Sequence, residues 1–83
     1  MFHKVKTVKP LSEYKLFVEF LSGEKKIYDI KPLLDKWQIF NVLINTIGLF
    51  EQVQVDAGGY GISWNDDLDL SCDELYFNAV SVD

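Results

Sequence analysis

Apolar and polar residues alternate through "YKLFVEFL", residues 14 to 21, placing Tyr14, Leu16, Val18 and Phe20 on one face and Lys15, Phe17, Glu19 and Leu21 on the other. The second face is only half polar, so part of it is expected to be covered. Ser22-Gly23 supplies a two-residue turn in which Gly takes positive φ, and "EKKIYDI" returns as the partner strand, which predicts a β-hairpin over residues 14 to 30. Ahead of it, "KVKTV", residues 4 to 8, predicts a strand that stops at Pro10, a residue with no N–H for a central ladder. A second hairpin follows later in the chain. In "FEQVQVDA", Val53, Val55 and Ala57 alternate with Gln52, Gln54 and Asp56. Gly58-Gly59 turns the chain, and "YGISW" puts Tyr60, Ile62 and Trp64 on one face.

Between the hairpins the period changes. Lys31-Pro32 ends the first hairpin, and "PLLDKW" predicts a short turn of helix with Pro at its first position. Over residues 38 to 47, Ile39, Val42 and Leu43, with Phe40, Ile44 and Ile47, recur at three- and four-residue steps, which predicts a helix closed by a left-handed Gly48. The last element opens at Ser71. With Ser71 as N-cap, Glu74 falls at the capping-box position, and Leu70 and Leu75 stand at the two positions of a hydrophobic staple.

These elements predict an α+β fold and one domain over residues 1 to 83: a mostly antiparallel sheet of about five strands, two hairpins plus an N-terminal strand, packed against two short helices. Strand order and oligomeric state, homo-oligomer included, are not determined by the pattern. A 48% hydrophobic content with six Phe, four Tyr and two Trp is generous for a core of this size. The single Cys excludes an intramolecular disulfide, no apolar run approaches the roughly 20 residues of a membrane span, and "MFHKVKTVK" lacks a hydrophobic targeting core. The expected setting is the cytoplasm, without a membrane.

Charge is divided along the chain. All eight basic residues are Lys within residues 1 to 36, where five acids leave +3; residues 37 to 83 hold eight acids and no base, a charge of −8. With no Arg to read guanine or grip phosphates, direct nucleic-acid binding is not expected. The lysines are expected on solvent faces of edge strands, where they oppose strand-to-strand association. The acidic half suits a protein partner, small and basic.

"WNDDLDLSCDELY", residues 64 to 76, carries five carboxylates. Asp73 and Glu74 belong to the first turn of a helix, where its partial positive charge favours them. Asp66, Asp67 and Asp69 read as turn residues and are the weak candidates for a cation site. As a calcium loop starting at Asp67 the segment fails, because Cys72 stands at the Gly position and Asn78 at the closing Glu position. Cys72 reads as a packed thiol, since neighbouring acids oppose its ionisation and no His is near to act as base. His3, the only His, reads as a partly exposed strand residue. "GGYG", residues 58 to 61, lacks the Lys-Ser/Thr of a phosphate loop and is not followed by a helix. No catalytic constellation, metal or cofactor is therefore expected. Phe17 and Trp37 are the candidate anchors for a partner, with Asp66 and Asp67 as charged candidates beside them.

Tyr14, Leu16, Val18 and Phe20, then Gly23, Asp29, Pro32-Leu33-Leu34, Phe40, Leu43, Phe50, Val53, Val55-Asp56, "ISW" at 62 to 64 and "DLSCDELY" at 69 to 76 together resemble the domain-of-unknown-function (DUF) family 2442, from about Val5 to Ala79. Asn65 stands where relatives often carry Pro, a departure that concerns turn geometry. The resemblance implies a small bacterial α+β domain with no established catalytic residues. Some relatives precede a helix-turn-helix domain, for which this chain, ending at Asp83, is expected to have no room. Stand-alone relatives are often encoded beside another small protein, an arrangement similar to toxin–antitoxin pairs. The resulting expectation is a non-enzymatic interaction module, the partner of a neighbouring small protein. The alternatives are an accessory subunit of a DNA-binding regulator and a divalent-cation-binding or hydrolytic domain using residues 66 to 74.

Overall fold

A computed structural model describes residues 3–82; Met1, Phe2 and Asp83, which the single-domain expectation also takes in, lie outside the described residues. The fold is α+β, with seven strands in two antiparallel sheets and short helices between them. β1 (Val5–Leu11), β2 (Lys15–Phe20), β3 (Lys25–Asp29) and β7 (Val80–Ser81) form one sheet in the order β1-β2-β3-β7. β4 (Gln54–Val55), β5 (Gly61–Asn65) and β6 (Leu68–Ser71) form the other. The sequence pattern predicts about five strands in one sheet. Of the two it misses, β6 alternates over four residues but its acidic segment reads as a turn, and β7 is two residues long, too short for alternation to register.

The first hairpin has the predicted face. Leu16, Val18, Phe20 and Tyr28 are buried, while Phe17 and Ile27 lie opposite one another on the outer face, half-buried. Its loop is three residues, Leu21-Ser22-Gly23, rather than two: Gly23 N–H donates to Phe20 O and Phe20 N–H to Glu24 O, both at 2.9 Å. Gly23 takes the left-handed position that follows a type I turn in such loops. β1 runs through Pro10 to Leu11 instead of stopping before the proline, because β1 is an edge strand and the missing N–H interrupts no ladder.

α1 (Lys31–Lys36) has Pro32 in its first turn, as predicted. The helix predicted over 38 to 47 is broken. A 3₁₀ turn, Gln38–Asn41, leads into the four-residue α2 (Val42–Asn45), and Thr46 is already extended. Gly48 does take a left-handed φ of 84°, three residues past the helix. The segment is rich in Ile, Val, Asn and Thr, middling or poor helix formers, and short helices hold only where tertiary packing supports them. Only Phe40 and Leu43 reach the core; Ile39, Val42, Ile44 and Ile47 are exposed.

α3 (Cys72–Asn78) packs against β3, β5 and β6. Ser71 Oγ accepts from Glu74 N–H at 3.1 Å, and both staple residues, Leu70 and Leu75, are buried in the common core. The second half of the capping box does not form, because the Glu74 carboxylate turns to Tyr28. One lysine departs from the solvent-face expectation. Lys26 lies on the inner side of β3, 9% exposed, and its Nζ donates to Tyr76 O at 2.7 Å while standing 3.9 Å from the Tyr76 ring centre. Among the described residues no helix is long and apolar enough to cross a membrane.

Candidate functional site

The acidic segment resolves into ordinary backbone chemistry. Asp66 and Asp67 form the β5–β6 turn, and Asn65 Oδ1 accepts from the N–H groups of Asp67 (2.9 Å) and Leu68 (3.0 Å). Asp69, expected in a turn, stands in β6 opposite Ser63. Alternation puts Leu68 and Leu70 inside and leaves Asp69 exposed. Among the described residues no three His, Cys, Asp or Glu side chains converge on one point.

The single Cys and the single His are both engaged structurally. Cys72 is buried; burial and the adjacent Asp73 carboxylate push its thiol up, away from the thiolate that nucleophilic chemistry needs. His3 precedes β1 and stacks on Tyr76 with ring centres 3.5 Å apart.

A groove of about 310 Å³ opens where the end of α1 meets β6 and the start of α3, lined by Trp37, Phe40, Asp69, Leu70, Ser71 and Glu74. Trp37 caps α1, its N–H donating to Leu33 O at 2.8 Å, and its side chain remains 43% exposed. Phe40 anchors the groove from below, with its ring edge-on to buried Trp64, whose indole N–H donates to Phe50 O at 3.1 Å. Glu74 is held from behind: Tyr28 O–H donates to Oε2 at 2.9 Å. Burial, and then the hydrogen bond and charge of Glu74, push the Tyr28 hydroxyl far above the usual tyrosine range.

The structure therefore brings together Trp37 and Asp69, two residues the sequence singles out for different reasons. It does not bring in Phe17, which lies on the outer face of the larger sheet. Asp66 and Asp67 occupy the turn and do not line this groove. Glu74, read from the sequence only as a helix-start residue, lines the groove. Beside it runs a surface the periodicity assigns to the core. Residues 37 to 50 contain no charged side chain, and Trp37, Ile39, Val42, Ile44 and Ile47 within them are exposed. The absence of charge over that stretch is the signal in the sequence that could have exposed it.

The profile of the family described as "Protein of unknown function (DUF2442)" matches residues 5–81. The chain belongs to this family. No curated protein and no solved structure matches it. The family match spans both sheets and all three helices, so the groove and the exposed apolar segment are built entirely within the DUF2442 region.

Proposed function

We propose that this DUF2442 chain is a non-enzymatic protein-interaction module that acts on a small neighbouring protein, in the manner of a toxin–antitoxin pair. The observation that carries the reading is the uncharged segment 37 to 50, in which Trp37 and Ile39 are about half exposed and Ile47 is fully exposed. Exposed apolar side chains gathered in one segment cost solubility and commonly mark association surfaces. Aromatic anchors of the Trp37 kind dominate interface energetics. The engagement of Cys72 in the core and of His3 on Tyr76 supports a role without catalysis. A single buried, unpaired cysteine suits the reducing cytoplasm.

The test is a native pull-down of the tagged full chain from its own host, with mass spectrometry of what remains bound. One stoichiometric protein is expected, and its retention should fall by about tenfold or more for Ile39→Asp/Ile47→Asp, since both side chains face solvent and the fold should persist. Recovery of the chain alone, or undiminished retention by the variant, would overturn the reading.

A further inference from the structure

The groove beside Trp37 identifies the chemistry of the partner more narrowly, an inference that rests on the interaction-module reading. Among the described residues, Asp69 and Glu74 are the charged ones that line it, the rest of the lining being Trp37, Phe40, Leu70 and Ser71. No base occurs in residues 37 to 83, and the lysine that reaches the edge of the groove, Lys36, lies over the Trp37 ring and forms no ion pair with either carboxylate among the described residues. The Tyr28 hydroxyl fixes Glu74 through Oε2, which leaves Oε1 as the oxygen for a ligand. The exposed indole of Trp37 already takes a cation from its own chain, with Lys36 Nζ 4.6 Å from the ring centre. A hard divalent cation needs about six oxygen ligands, far more than two carboxylates over an aromatic wall provide. A guanidinium suits both features: its plane stacks on an indole while its N–H fork bonds carboxylate oxygens.

We propose that this groove receives an arginine side chain from a segment of the partner protein, stacked on Trp37 and hydrogen-bonded to Asp69 and Glu74. The chain contains no Arg, so a second copy of itself cannot supply the group. The adjoining apolar segment would then take the apolar neighbours of that arginine, with the ion pair setting register and orientation.

The probe is N-acetyl-arginine methylamide, titrated into the full chain while the two Trp indole N–H signals are followed by NMR. Trp64, buried and bonded to Phe50 O, serves as the internal control. The Trp37 signal should shift saturably and the Trp64 signal stay in place. The uncharged isostere N-acetyl-citrulline methylamide should bind at least about tenfold more weakly. Asp69→Asn and Glu74→Gln should each weaken arginine binding several-fold, and the second keeps an oxygen for Tyr28, so the fold is preserved. Equal binding of citrulline, no shift of Trp37, or unchanged binding by both variants overturns the proposal. A pull-down partner that Asp69→Asn retains as well as the wild type removes the arginine groove and leaves the interaction module standing; the absence of any partner removes the module itself.

Discussion

Lys26 shows how one side chain can serve two elements. Its ammonium reaches from β3 to the Tyr76 carbonyl near the end of α3, where carbonyls lack helical partners and the helix dipole favours a cation. Hydrogen bonds to charged groups contribute about 1.5–3 kcal/mol, whereas burial of the ammonium opposes them. Methionine retains the stem and removes the charge, so Lys26→Met is expected to lose about 1–3 kcal/mol in urea unfolding; no loss would mean that desolvation cancels the bond. Strand alternation predicts which face Lys26 occupies, since it is paired with the core residue Val18. Its carbonyl partner fifty residues away is invisible in the local pattern, which is why the lysine reads as solvated.

Among the elements, α3 is the one written most plainly in the chain. Ser71→Ala removes the acceptor for Glu74 N–H and is expected to cost about 0.5–2 kcal/mol by thermal or urea unfolding; a change near zero would mean that the helix holds without its cap. Two glycines separate backbone conformation from close packing. A Cβ on Gly61 would lie 2.5 Å from Leu70 O across the β5–β6 pair, so Gly61→Ala must shift backbone and is expected to cost about 1–3 kcal/mol or more. Gly48 has open space around it but a φ of 84°, so Gly48→Ala should show only the left-handed penalty of about 1–2 kcal/mol. Equal losses at the two sites would contradict the contact at Gly61. The segment after Trp37 teaches the opposite lesson. Its three- and four-residue period is real, yet β-branched residues and core contacts limited to Phe40 and Leu43 leave four residues of α-helix and an exposed apolar surface.

For the molecule as a whole, the Tyr28–Glu74 bond ties the larger sheet to α3 and makes stability depend on alkaline pH. The folded hydroxyl keeps its proton where the unfolded one releases it, so this contribution is fully present below the ordinary tyrosine value of 10.0 and is lost as pH rises toward the folded value. Between about pH 9 and about pH 12, the melting temperature of the wild type should fall more steeply than that of Tyr28→Phe. Parallel curves would remove the link.

The α+β class, the first hairpin, the start of α3 and the burial of Cys72 follow from the sequence by itself, because strand alternation, turn glycines and helix caps act over a few neighbouring residues. Only the tertiary structure decided the split into two sheets, the fate of the predicted helix over 38 to 47, and the meeting of Trp37 with Asp69 and Glu74. Each of these depends on which distant surfaces find one another. The periodicity of Ile39, Val42, Ile44 and Ile47 marks one apolar set, but whether that set turns to the core or to the surface depends on space already taken by Phe40, Leu43 and the strands around them.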